Sequence, residues 1–216
     1  MMGKRINIGW DITHMEFTIE DHYYFSELKS AVNKRGATVK EIRSFGEISY
    51  CDVVVINYPE KPFSKAEARK VEQSLVGGVK VIVCGYYSNE DGVADNVNTL
   101  ASRFGLKLNG DKVKDSNNNL EGDELLVVTS RIAKYNRSVN KVLFPCAASV
   151  TDLFGNSLPF VSREKASSRS GKETVIGAEV GVKGGRFILL GTCVFWDNFS
   201  IKRYTNRNFS LNLLLE

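Results

Sequence analysis

Two stretches of this chain, Val53-Val54-Val55-Ile56 and the run from Val79 to Cys84, are too continuously apolar and β-branched to alternate between a wet and a dry face. Strands of that composition are buried on both sides, and a parallel sheet covered by helices is the arrangement that does this. The intervening residues supply such a helix. Ser64 and Glu67 have the spacing of a capping box, Ala68, Val71 and Leu75 recur at helical intervals, and Gly77-Gly78 predicts the stop near residue 76. Upstream, Arg5 to Trp10 predicts a first strand, Tyr24, Phe25, Leu28, Ala31 and Val32 mark a helix ended by Gly36, and residues 37 to 42 read as a second strand. Downstream, Val93, Val97, Leu100, Ala101 and Phe104 recur at helical spacing up to Gly105. Strand and helix therefore alternate through the first half, the pattern of a doubly wound α/β sheet.

The second half has a different rhythm. Residues 111 to 123 are polar and rich in Asn, and Leu125 to Thr129, Lys141 to Phe144 and Thr174 to Val182 read as strands. Lys183-Gly184-Gly185 predicts a tight hairpin leading into Arg186 to Gly191, which makes part of the sheet antiparallel. A closing helix is expected over Phe209 to Leu215, and the Ser-, Arg- and Lys-rich stretch from Ser162 to Lys172 is expected to be a mobile loop. One α/β domain spanning residues 1–216 accommodates all of this.

Composition narrows the function classes. With 216 residues, 43% of them hydrophobic, the chain can bury a sizeable core, and its net charge of +4 is dispersed instead of forming the basic stripe that nucleic acid requires. No apolar run reaches the length of a membrane span. The N-terminus shows no apolar targeting core, so a cytoplasmic location is expected, with neither a nucleic-acid nor a membrane partner. Cys51, Cys84, Cys146 and Cys193 form no Cys-x-x-Cys pair and are expected to be reduced and mostly buried. Asp115, Asn117 and Asn119 match the first ligand positions of a calcium loop, but Leu120 stands where glycine is needed and Leu126 where the bidentate glutamate belongs.

Several segments carry a resemblance. The run from Val71 to Ser88, with its helix, double glycine, strand and loop, together with Leu100 to Leu106, resembles class I glutamine-amidotransferase-like domains of unknown function, which are similar to the GIFT domain of intraflagellar-transport proteins. Asp11-Ile-Thr-His14-Met-Glu16, Gly185 to Asn198 and Asn208 to Leu213 agree with it. The resemblance implies a mostly parallel, flavodoxin-like or amidotransferase-like sheet; it implies a fold more strongly than an activity. Amidotransferases of this fold carry a nucleophilic cysteine on a sharp turn flanked by glycines. Around Cys84 the flanking positions are Ile82 and Tyr86, whose side chains would crowd such a turn. No glutaminase activity is expected.

Parallel strands present their carboxyl ends along one edge, where open α/β sheets bind ligands. The loops after Trp10, Asn57, Cys84 and Gly191 all follow such strands. Asp11, His14, Glu16, Ser88, Asn89, Trp196, Asp197 and Asn198 are therefore expected to gather around one crevice as ligand-binding residues. Asp11, His14 and Glu16 can bind a divalent ion, orient a polar ligand or act as acid and base. Alternatively, Asp11 caps a turn, His14 packs locally, Trp196 is core and Asp197-Asn198 is a turn. No catalytic residue, metal or cofactor is assigned. The expected role is a non-catalytic module binding a small polar ligand or a protein; the alternative is a small-molecule hydrolase or carbohydrate-processing enzyme working through Asp11, His14 and Glu16.

Overall fold

The computed structural model describes residues 5–164 and 173–216. The first half alternates as the sequence predicts: β1 (Asn7–Asp11), α1 (His22–Lys34), β2 (Thr38–Ile42), β3 (Val53–Asn57), α2 (Lys65–Val76), β4 (Lys80–Cys84) and α3 (Val93–Ala101). Every residue of β3 and of β4 is buried, as their unbroken apolar runs require. The caps also act as read. Ser64 accepts from the Glu67 N–H while the Glu67 carboxylate accepts from the Ser64 N–H, satisfying two donors at the start of α2. Asp21 caps α1 by accepting from Tyr23 and Tyr24.

In the second half, β5 (Leu106–Leu108) pairs with β9 (Val150–Asp152), and β6 (Asn119–Leu120), β7 (Asp123–Thr129) and β8 (Val142–Pro145) form a small antiparallel sheet. Strands β10 (Leu158–Ser162), β11 (Val175–Val182) and β12 (Gly185–Leu190) rejoin the main sheet before α4 (Asn206–Leu215) closes the chain. That sheet has seven strands in the order β10-β11-β12-β4-β3-β1-β2. From β12 to β2 all neighbours are parallel, whereas β10, β11 and β12 pair antiparallel. The β11–β12 turn is the Lys183-Gly184 hairpin, closed by Val182 opposite Gly185. The fold is thus a mostly parallel, flavodoxin-like α/β sheet with an antiparallel end. Of the 162–172 stretch, residues 165–172 lie outside the described residues, and Ser162 is the last residue of β10.

Close backbone approach fixes the seam between the two halves. A Cβ on Gly191 would stand 1.9 Å from the Ala148 carbonyl oxygen, and one on Gly185 would stand 2.4 Å from the carbonyl oxygens of Leu75 and Val79. Both contacts are with backbone, which cannot swing away. Gly191 also bonds on both sides, its N–H to Ile176 and its carbonyl to the Ala148 N–H, each at 2.8 Å.

Candidate functional site

Strand order reverses at β1, since β2 lies on one side of it and β3 on the other. Ligands of doubly wound sheets bind outside the strand carboxyl ends at such a switch point. The register aligns those ends, with Asn57 and Leu190 both opposite Cys84. A crevice of about 320 Å³ opens there, with walls drawn from the loops after β1, β3, β4 and β12. Tyr24, Phe17, Tyr58 and Tyr86 form a continuous aromatic arc, with ring centroids 5.5, 5.4 and 5.4 Å apart in turn. Glu90, Asp91 and Asp197 contribute carboxyl groups to the same crevice, and among the described residues no Lys, Arg or His lines it.

The crevice is held by interactions underneath it. Tyr58 sits in the left-handed region at φ 68°, a costly conformation for a bulky residue. Its N–H donates to the Cys84 carbonyl and its hydroxyl donates to Asp91 at 2.7 Å. Burial, followed by that bond, holds the Tyr58 hydroxyl above the ordinary tyrosine range. The Asn57 amide oxygen accepts from the Trp196 indole at 3.1 Å, which leaves the fully buried Asn57 Nδ2 without a hydrogen-bond partner among the described residues. Asp197 accepts from the Phe199 and Ser200 N–H groups; burial raises its carboxyl above the usual range and those two bonds oppose the rise. A larger, more open depression of about 600 Å³ runs along α1 between Glu20 and Lys34. It has no aromatic wall and lies off the strand ends.

Asp11, His14 and Glu16 come together in a separate, buried cluster on the inner side of the loop after β1. His14 Nδ1 lies 2.8 Å from Asp11 Oδ2 and 3.7 Å from Glu16 Oε1, and its Nε2 lies 3.6 Å from Glu67 Oε1. The ring is wedged between Phe63 and Phe45, at centroid distances of 4.0 and 5.0 Å. Thr13 donates its N–H and its hydroxyl to Asp11 Oδ1. The left-handed Met15 turns the chain so that Glu16 Oε2 accepts from the His14 N–H at 2.8 Å. Burial, and then the charge of Asp11, pushes the Glu16 carboxyl up to about 9.

The remaining residues named from sequence are dispersed. Ser88 and Asn89 lie in a turn over residues 87–92 that contains several left-handed residues; Asn89 bonds both the side chain and the N–H of Asp95 at the start of α3. Trp196 is a fully buried core residue stacked on Phe195 and tilted against Trp10. Asn198 ties the loop after β12 to α1, donating to the carbonyls of His22 and Tyr23 and accepting from the Glu27 N–H. Of the eight, Asp197 alone lines the crevice. Asn57, Tyr58 and Tyr86 were within sight of the strand-end rule, since each ends or closely follows a buried strand. Phe17, Tyr24 and Cys193 had no comparable signal.

All four cysteines are free. Cys84 and Cys193 are buried, while Cys51 and Cys146 are half-buried. Burial drives the Cys84 thiol well above its ordinary range, so the thiolate that an amidotransferase needs is disfavoured there. Asp115, in the Asn-rich loop, accepts from the N–H groups of Asn117 and Asn118, a turn-forming role.

No protein-family model matches the chain. Among solved structures, the mmIFT52 N-terminal domain is similar to it with a TM-score of 0.77 at 15% identity, over 94% of this chain and 93% of that one. A ThuA-like protein from Bacteroides uniformis is similar with a TM-score of 0.53 at 13% identity, over 97% and 89%. At such identities these likenesses show the fold alone. In sequence, the chain is 46% identical over 220 residues to an uncharacterized protein of Aquifex aeolicus (strain VF5), covering 97% of this chain and 93% of the relative. It belongs to the same family as that Aquifex aeolicus protein.

Proposed function

We propose that this chain is a non-catalytic ligand-binding module of the amidotransferase-like fold, similar to the GIFT domain, and that its crevice takes a small organic cation. The observation that carries this is the lining itself, an arc of four aromatic rings facing three carboxyl groups with no basic residue among the described ones. Ring faces attract cations through their quadrupoles, and the attraction grows when water is excluded. Asn57, fully buried, props the base of the crevice by accepting from the Trp196 indole at 3.1 Å. A small polar ligand carrying an ammonium matches that lining.

A binding role fits the chemistry better than a hydrolytic one. The side chains of Asp11 and Glu16 are 0% exposed and that of His14 is 4% exposed, so a substrate in the crevice has no route to them. Cys193, whose thiol lines the crevice, is held far above its ordinary range, first by burial and then by the charge of Asp197.

Calorimetric titration with choline tests the proposal. Saturable binding is expected, weakened about tenfold or more in Asp197→Asn and Tyr86→Ala, consistent with the roughly 1–2 kcal/mol of a desolvated cation–ring contact. Acetate at the same concentration should give no heat. Choline binding that is absent, or equal in all three proteins, would rule out the organic-cation assignment.

A further inference from the structure

We infer that Asp11, His14 and Glu16 form a binding site for a divalent first-row transition ion such as zinc. The three residues offer donor atoms that all lie within 4.8 Å of one another. Zinc bonds nitrogen and oxygen ligands at about 2.0–2.2 Å, which puts neighbouring ligands of a tetrahedral ion roughly 3.3 Å apart. The distances from His14 Nδ1 to Asp11 Oδ2 and to Glu16 Oε1, 2.8 and 3.7 Å, bracket that value. Thr13 Oγ1, 3.0 Å from the same nitrogen, is placed to supply a fourth oxygen.

A second observation separates this cluster from an ordinary acidic patch. Glu16 is held by the bond from the His14 N–H to its Oε2, yet its Oε1 is buried and has no hydrogen-bond partner among the described residues. An unsatisfied carboxylate oxygen in a closed site costs on the order of 1–3 kcal/mol or more. Here it lies on the His14 side of the cluster, where an ion would satisfy it.

The surroundings fit as well. Ligation through Nδ1 moves the imidazole proton from the Asp11 Oδ2 contact at 2.8 Å to Nε2, and Glu67 Oε1, 3.6 Å from Nε2, would close on it as the acceptor. Glu67 is itself anchored by the Ser64 N–H at 2.8 Å. A carboxylate behind a ligating histidine is the usual outer support of a protein metal site. One nitrogen with two or three oxygens suits zinc or its neighbours, whereas calcium requires six to eight oxygen ligands.

The full chain, stripped with chelator, can be titrated with zinc chloride while the heat and the thermal midpoint are followed. One equivalent is expected to bind and raise the midpoint. Glu16→Gln keeps the shape of the neutral carboxyl, so the metal-free midpoint should stay near or above wild type while zinc affinity falls at least about a hundredfold; Glu67→Gln should cost about tenfold. Stoichiometric zinc with unchanged affinity in Glu16→Gln would place the ion on exposed His22 or on the half-buried cysteines and overturn the inference. Absence of any stoichiometric binding to wild type would overturn it equally.

Discussion

Lys80 is 8% exposed, inside β4, and its ammonium donates to the Leu213 carbonyl at 2.9 Å and sits 5.6 Å above the Tyr135 ring. Burial, and then the nearby charge of Arg186, lowers it from the ordinary 10.5 to about 8, against the opposing pull of Glu179 and Glu216. The folded chain therefore sheds this proton first. Below pH 8 both states are protonated and the full cost of burying the charge is present. As pH climbs from about 8 toward 10.5, this lysine holds its proton more firmly in the unfolded chain, and its contribution to stability increases. Each tenfold loss of proton affinity on folding corresponds to about 1.4 kcal/mol, so Lys80 alone contributes a rise on the order of 2–3 kcal/mol across that window. Urea denaturation of wild type and Lys80→Met between pH 7 and 10 measures it as the difference between the two, because the buried Cys84 and Cys193 thiols, which ionise more readily in the unfolded chain, lower the stability of both proteins alike as pH rises. Lys80→Met should be more stable at pH 7, and wild type should close that gap as pH rises; a gap that stays constant would show that Lys80 does not titrate in this window.

At the scale of elements, what was legible in the sequence had local causes. The capping box of α2, the apolar runs of β3 and β4 and the Lys183-Gly184 hairpin each rest on residues a few positions apart. The elements that went unread are held from a distance. The three-residue β5 exists because β9 pairs with it, and α4 begins at Asn206, ahead of its apolar stretch, because that side chain bonds the backbone of Leu143 and Phe195. The candidate site divides in the same way. Strand ends were predictable from the alternation, but which loop residues face the crevice depends on left-handed turns at Met15, Tyr58 and residues 88–91 that carry no clear sequence mark. Gly191 tests how rigid the seam between the halves is. Gly191→Ala must push the Ala148 backbone aside, and a loss of roughly 2–4 kcal/mol is expected by chemical denaturation, in the range of severe backbone and packing mutations. A loss below about 0.5 kcal/mol would mean that the 145–150 segment yields easily.

For the molecule as a whole, the strand order makes the crevice depend on the joining of the two halves, because β12 pairs with β4 and the loop after it brings Asp197 to the crevice that Asn57 and Tyr86 line. The sheet is also guarded at one margin. Edge strand β10 breaks register with β11 between Pro159 and Val161 and again before Ser162, and proline offers no N–H, so a further strand finds a poor template there.

The loop after β1 has two sides, with the Asp11–His14–Glu16 cluster inside and Phe17 in the wall of the crevice, joined through the short segment that the Trp10 indole grips at the Phe17 carbonyl. Whatever sets the shape of that segment is felt at both places. Occupancy on one side then enters the binding polynomial of the other, and reciprocity requires the two effects to be equal. If zinc changes choline affinity by some factor, choline must change zinc affinity by the same factor, and a coupling of about 1 kcal/mol would appear as roughly a fivefold shift in both titrations. Two unshifted titrations would show that the loop holds one shape regardless of what either side carries.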